Sequence, residues 1–133
     1  MKLVKLLGSL VLACAMAPGF AQTDHYPTRA IKLYVGFAPG GATDQLARLY
    51  ATRLTERLGQ PVVVENRPGS GGNVAVQQLA QASPDGYSLV MAANYVAINA
   101  ALKRNVYNWE RDLAPIALIA STPNLLVVPA NSS

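Results

Sequence analysis

The period of the hydrophobic residues changes across a glycine-rich segment near the start of the chain. From residue 31 to residue 37 every second residue is large and apolar, which predicts a β-strand with one buried face. Residues 43–58 repeat their apolar positions at intervals of three and four, which predicts an amphipathic helix. Its apolar stripe consists of Leu46, Leu49, Tyr50, Leu54 and Leu58, and its solvent side of Gln45, Arg48, Thr52 and Glu56. Gly59 and Pro61 predict its end.

The remaining pattern predicts four more strands and two more helices. Residues 62–64 are three valines without alternation, which is typical of a strand covered on both faces. The other predicted strands are residues 87–92, 113–119 and 125–128, and the other predicted helices are residues 73–81 and 96–102. Residues 83–86 predict a turn in which Gly86 takes a left-handed conformation. Residues 109–112 are expected to form a polar connection.

Strands that alternate with helices predict an α/β fold with a mainly parallel sheet and flanking helices. In open sheets of this kind, ligands bind beyond the carboxyl ends of the strands. Three segments follow predicted strands at that rim: residues 36–44, residues 66–72, and the pair Asn94 and Tyr95. We therefore expect these segments to come together.

Residues 36–44, from Gly36 to Asp44, have the features of an anion site made of main chain. Gly40 and Gly41 lack a Cβ, so other atoms can approach the backbone closely. A helix that begins at Thr43 leaves its first N–H groups unpaired and directs the positive end of its dipole at the loop. Backbone amides in this arrangement bind anions.

One position in this loop narrows the chemistry of the anion. The spacing from Gly36 to Thr43 is that of a phosphate-binding loop, but Ala42 stands where such loops have a lysine. That lysine reaches the terminal phosphates of a nucleotide. Nucleotide hydrolysis is therefore not expected.

The sequence predicts no catalytic, cofactor or metal site. The third glycine of a dinucleotide fingerprint falls on Val74, and a nucleophile elbow at Ser70 would need glycine in place of Pro68. His25 is the one histidine and lies in the polar leader, so a serine–histidine triad has no base. The seven acidic residues show no metal-ligand spacing. We expect neither an enzyme nor a bound cofactor.

The first 21 residues have the pattern of an export signal. Lys2 and Lys5 precede an apolar stretch too short to span a bilayer, and small residues predict cleavage after Ala21. A lipoprotein box ending at Cys14 is the alternative, although Leu12 is large for it. Cleavage after Ala21 would leave 112 residues without a transmembrane segment and lower the net charge from +4 to +2. That charge is too mild and scattered to indicate nucleic-acid binding.

Several residues near the rim admit two roles. Asp44 either accepts backbone N–H bonds in the first helical turn or holds an ordered water or a cationic ligand group. Arg67 either pairs with a ligand carboxylate or is a solvated charge. Asn94 either bonds a ligand or serves a turn, and Phe37 either walls the site or ends the core of its strand. Tyr107 is expected to cover an edge of the core.

Residues 26–33, 37–44, 58–69 and 83–87 carry motifs whose order and spacing resemble one known family. It comprises the Bug-type extracytoplasmic solute receptors of the tripartite tricarboxylate transporters. The resemblance extends over almost all of residues 22–133. It implies a type II periplasmic-binding-protein fold, in which two α/β lobes close on a small organic anion.

The resemblance also implies which residues bind the ligand. In the family the first glycine loop holds a ligand carboxylate, largely through backbone N–H groups and ordered water. The corresponding residues here are Phe37, Ala38, Pro39, Gly40, Gly41, Thr43 and Asp44. Weaker candidates on the neighbouring loops are Asn66, Gly71, Asn73 and Asn94.

The function implied by the resemblance is that of a periplasmic receptor, which delivers a small organic carboxylate to membrane transporter subunits. Two lobes need about 200–300 residues, so residues 22–133 are expected to form a partial N-terminal lobe, with the second lobe absent. One alternative is a receptor-derived module that signals to a membrane sensor. Another is a non-functional fragment.

Overall fold

In the part of the chain that the structure describes, three parallel strands form a single sheet: β1 (Ile31–Val35), β2 (Val62–Asn66) and β3 (Ser88–Met91). Their order in the sheet is β2-β1-β3. The computed structural model describes residues 25–104, 107–121 and 125–131. The α/β fold with a parallel sheet is confirmed, whereas the predicted export signal lies outside the described residues.

Helices connect and follow the strands. They are α1 (Ala42–Leu58), α2 (Asn73–Ala80), α3 (Tyr95–Ala101) and α4 (Trp109–Asp112), and a 3₁₀ turn at Ser70–Gly72 leads into α2. The three predicted helices are confirmed to within one residue at either end. Gly59 ends α1 as predicted, with a left-handed φ of 68° and its N–H bonded to the Thr55 carbonyl.

The strand order places a topological switch point between β1 and β3. After β1 the chain moves through α1 to β2 on one side, and then through α2 to β3 on the other side. Leu89 packs in the cluster that holds Ala47 of α1, whereas its neighbour Val90 packs with Val76 of α2. Helices α1 and α2 therefore cover opposite faces of the sheet. At such a switch point the loops beyond the strands separate and leave a crevice.

Helix α1 approaches the sheet through small residues. Ala47 and Ala51 are buried, and Tyr50, Leu54 and Leu58 pack beside them. The predicted inward position of Leu49 is wrong, because this side chain is 57% exposed. Leu49 lies about 200° around the helix from Ala47, and the close approach at the two alanines turns it toward solvent.

Strand β2 is an edge of the sheet. Val62 is buried, but Val63 is 46% exposed, so the prediction of a strand covered on both faces is wrong. The three valines predicted burial correctly on the face that α1 covers. Their lack of alternation did not reveal that the other face of β2 is only partly covered.

The strands predicted at residues 113–119 and 125–128 are absent from the described residues. The chain there forms no helix or strand, and Leu126 is 98% exposed. Ile119 nevertheless packs against the α1 side of the core, and its carbonyl accepts a bond of 3.0 Å from the Tyr50 hydroxyl. A strand requires a neighbour for its backbone groups, and no described strand pairs with these segments.

The polar connection predicted at residues 109–112 is instead the single turn α4. The Asn108 side chain caps it by accepting bonds from the N–H groups of Glu110 and Arg111, at 3.0 and 3.1 Å. Asparagine is a preferred residue at this cap position.

The polar leader is fastened to the turn that precedes β3. The Tyr26 hydroxyl donates to the Gly86 carbonyl at 2.7 Å, and Arg29 pairs with Asp85 at 2.9 Å. The Arg29 guanidinium lies 4.1 Å from the centre of the Tyr87 ring. Gly86 has a φ of 81°, as predicted for this turn. We call these contacts the leader clasp, which lies at the amino ends of β1 and β3.

Within residues 25–104, 107–121 and 125–131, none of the helices combines the length and the apolar character needed to cross a bilayer.

Candidate functional site

The two glycine-rich segments touch each other at the carboxyl rim of the sheet. A Cβ on Gly36 would lie 2.7 Å from the Cα of Gly72, and a Cβ on Gly72 would lie 2.6 Å from Cε2 of Tyr95. The end of β1, the turn before α2 and the start of α3 are therefore stacked on one another. This confirms that the three predicted segments converge.

The loop between β1 and α1 is open to solvent. Phe37, Ala38, Pro39, Gly40 and Gly41 are all exposed. Gly40 has a φ of 89°, which favours glycine. Gly41 precedes α1 in an extended conformation, and no described side chain caps the helix there. The first N–H groups of α1 consequently lie at a surface that is open to solvent. Thr43, in the first turn of the helix, is half-buried.

Asp44 lies beneath this loop and not on its open surface. Its side chain is buried, with the residue only 2% exposed. One carboxylate oxygen, Oδ2, accepts bonds of 2.9 Å from the Gly40 N–H and from Arg48 Nε. The other oxygen, Oδ1, accepts a bond of 2.9 Å from the Asn66 amide. Of its two predicted roles, the structure shows the acceptance of a backbone N–H.

These bonds lower the pKa of Asp44. The Arg48 guanidinium has the largest effect, followed by the Gly40 N–H and the Asn66 amide, and together they hold the pKa of the carboxyl well below its usual range. All three stabilise the charged form. Asp44 is therefore ionised over the whole physiological pH range.

Asn66 joins the loop to the end of β2. Besides its bond to Asp44, its Nδ2 donates to the Phe37 carbonyl at 3.0 Å. Its Oδ1 accepts a bond of 3.2 Å from Arg48 Nη2. The side chain thus holds both ends of residues 37–44 and is occupied by protein groups. We refer to Asp44, Arg48 and Asn66 together as the loop anchor.

Asn73 is likewise occupied by protein groups. It is buried at the start of α2, where its amide donates to the Arg104 carbonyl at 3.0 Å. Its side-chain oxygen accepts bonds of 3.1 Å from Asn99 and from the Tyr107 hydroxyl. Asn99 also donates to the carbonyl of exposed Gly71, at 3.1 Å. Tyr107 itself is buried, as predicted for a residue that covers the core.

Aromatic residues form one side of the rim. The rings of Phe37 and Tyr95 meet edge to face, with centroids 5.2 Å apart. The Tyr95 hydroxyl points inward and donates to the Met91 carbonyl at 3.3 Å. Burial, with a smaller effect of Tyr107, raises the pKa of Tyr95 to about 12. Phe37 therefore contributes a partly exposed apolar surface, and Asn94 is exposed just before α3.

A further ion pair and a groove adjoin the loop anchor. Arg67, which follows Asn66, pairs with Glu65 at 2.8 Å. A groove of about 420 Å³ lies between α1 and the β2 edge, lined by residues that include Arg48, Thr55 and Val64. Among the residues that the structure describes, no three potential metal ligands come together.

Comparison with known proteins agrees with the geometry. Residues 46–133 match the family described as "Tripartite tricarboxylate transporter family receptor". This chain belongs to that family. It is 40% identical to a UPF0065 protein of Bordetella pertussis over 91% of its length, and 35% identical to the protein BugT of the same organism over 95%. It spans 39% of the length of each of these relatives.

A solved structure of another family member supports the fold. The TctC solute-binding protein from Polaromonas, without ligand, superimposes with a TM-score of 0.61 at 29% identity. The superposition covers 64% of this chain and 30% of that protein. The similarity to Bug and TctC proteins that the motifs indicated is thus confirmed.

Arg48 is a member of the loop anchor that was not among the candidate residues predicted from the sequence. It was placed on the solvent side of α1, and its side chain is indeed 54% exposed. Its position four residues after Asp44 was the available signal, because residues at this spacing are neighbours on a helix. That spacing predicts an ion pair, but it does not reveal that the pair lies under a glycine loop.

Proposed function

We propose that this chain is part of an extracytoplasmic receptor that binds a small organic carboxylate and delivers it to the membrane subunits of a tripartite tricarboxylate-type transporter. The observation that carries the proposal is the open loop at residues 37–41, which runs into the uncapped start of α1 at the switch point between β1 and β3. Membership of the receptor family supports the same function.

A carboxylate fits the chemistry of this loop. Backbone N–H groups at a helix start offer several donors and a positive dipole to a compact anion. Ala42 occupies the position at which phosphate-binding loops have the lysine that contacts the terminal phosphates of a nucleotide. In the proposed site, Gly41 and Thr43 offer backbone N–H groups, whereas exposed Ala38, Pro39 and the Phe37 ring form the wall beside the ligand.

The weaker candidates have different roles in this proposal. Asn94 and Gly71 are exposed on neighbouring loops and are available to bond a ligand. Asn66 and Asn73 bond protein groups and position the loops. Asp44 anchors the loop from beneath.

The first 21 residues would direct export and be removed after Ala21. A second lobe would close over the far end of the ligand.

The proposal predicts carboxylate binding by the protein produced from its complete reading frame. Di- and tricarboxylates and aromatic acids are tested by thermal shift and calorimetry. Binding at 100 times Kd adds about 2.7 kcal/mol to the free energy of unfolding, so at least one acid is expected to raise the melting temperature by several degrees. Nucleotides and amines serve as controls. If no acid in the panel changed the melting temperature while a nucleotide did, the proposed function would be wrong.

A pair of variants tests the loop itself. Gly41 has a φ of −75°, close to the value that proline imposes. Gly41→Pro therefore removes one backbone N–H with little change in φ. A hydrogen bond to a charged group contributes about 1.5–3 kcal/mol, so carboxylate affinity is expected to fall at least about tenfold.

Gly41→Ala is the matched control, because its Cβ would have no neighbour closer than 3.8 Å and the N–H is kept. The alanine variant is expected to bind within about threefold of the original protein. Equal affinities for the proline variant and the original protein would show that the Gly41 N–H does not hold the ligand.

A further inference from the structure

The loop anchor places a negative charge directly beneath the proposed anion site. The Asp44 carboxylate is bonded to the Gly40 N–H at 2.9 Å, and neighbouring residues along a chain are about 3.8 Å apart. An anion held by the Gly41 N–H would therefore lie within about 10 Å of the carboxylate, which is comparable to the Debye length of about 8 Å at physiological salt. The loop above Asp44 is open to solvent, so dissolved salt is expected to weaken the effect of this charge on a ligand held there.

An unpaired aspartate at this position would repel the ligand. Within the described part of the chain, Arg48 is in contact with this carboxylate: its Nε donates to Asp44 Oδ2 at 2.9 Å, and its Nη2 donates to Asn66 Oδ1 at 3.2 Å. The guanidinium thus bonds two members of the anchor and lies beside the carboxylate. The next basic residue of the same helix, Arg53, is paired with exposed Glu56 instead.

We propose that Arg48 is a specificity-determining residue, which neutralises Asp44 and so allows the glycine loop to accept an anion. The inference rests on the proposed function. The two charges then have separate roles. Asp44 shapes the loop by bonding Gly40 and Asn66, and Arg48 offsets the repulsion between the Asp44 carboxylate and an anionic ligand. Arg48 acts through Asp44 and does not need to touch the ligand.

The test compares Arg48→Gln with the original protein, both produced from the complete reading frame, with the carboxylate that the panel identifies. At low ionic strength the affinity of Arg48→Gln is expected to be about tenfold lower, because the carboxylate beneath the loop is no longer paired. Toward 1 M salt, where the Debye length is about 3 Å, the difference is expected to shrink to about twofold. A loop that had merely lost its shape would give a difference that salt does not remove.

Two further variants separate charge from geometry. Arg48→Lys keeps the charge but not the planar donor pair, and it is expected to recover affinity to within about threefold. Arg53→Gln removes the same charge from the same helix at a distance from Asp44 and is expected to bind normally. Thermal melts of each ligand-free variant identify any that is unfolded, and a second neutral variant, Arg48→Met, then replaces Arg48→Gln in the salt series.

Normal binding by Arg48→Gln, or a loss that is the same at every salt concentration, would overturn the role of Arg48 while leaving the proposed function in place. Failure of the original protein to bind any carboxylate would instead overturn the proposed function and this inference with it.

Discussion

Replacing Gly36 with alanine is expected to lower the free energy of unfolding by about 3 kcal/mol, as for an overpacked core position. The new Cβ would lie 2.7 Å from the Cα and 2.9 Å from the carbonyl oxygen of Gly72. Both are backbone atoms, so no side-chain rotation relieves the contact. The two glycine-rich segments would have to move apart, and Gly72 is itself backed by the Tyr95 ring.

Chemical denaturation measures this effect, with Gly41→Ala as the control in the same loop. At position 41 the nearest atom to the new Cβ is 3.8 Å away, so the change in stability is expected to be about 1 kcal/mol or less. If Gly36→Ala were as stable as Gly41→Ala, the close contact between the two segments would not exist in solution.

Asp44→Asn is expected to lower the melting temperature at pH 7 by on the order of 10 °C. The variant keeps the size of the side chain but loses its charge, so the bonds from Arg48 and Gly40 lose their ionised acceptor. Glu56→Gln is the control, because it breaks an exposed ion pair with Arg53 on the same helix. Exposed pairs of this kind contribute little to stability.

The stabilisation that Asp44 gives and Asp44→Asn loses is expected to depend on pH in one direction. The pKa of Asp44 is lowered in the folded protein, so the unfolded state, with a pKa of about 3.9, binds the proton more tightly. The stabilisation is fully present above the unfolded pKa and is lost as the pH falls through the folded pKa. Melting curves should therefore show a gap between the original protein and Asp44→Asn that narrows from about pH 5 downward. A gap of constant size across this range would contradict the ionic role of Asp44.

The sequence predicted local elements well where one pattern was decisive. Helix α1 was located by its apolar period and by Gly59, and the convergence at the rim followed from strands that alternate with helices. The prediction that Leu49 points inward was wrong, because the period of the apolar residues does not by itself determine which face of α1 packs on the sheet. Here Ala47 and Ala51 set that face, and small side chains give only a weak signal of burial.

The strands predicted at residues 113–119 and 125–128 were wrong for a different physical reason. Apolar runs show that a segment favours burial, but a strand forms only when another strand completes its hydrogen bonds. In the site, the glycine loop was evident from the sequence, but the depth of Asp44 beneath it was not. That depth depends on Asn66, which lies 22 residues further along and reaches the carboxylate from β2.

The leader clasp determines where an attachment would leave the molecule. Tyr26 and Arg29 are fastened at the amino ends of the strands, whereas the glycine loop lies at the carboxyl ends. The five residues of β1 separate these rims by about 17 Å. A sensor surface or fusion partner joined ahead of residue 25 would therefore hold the protein with the loop directed outward into the solution. Immobilisation through this end should leave solute access to the loop unobstructed.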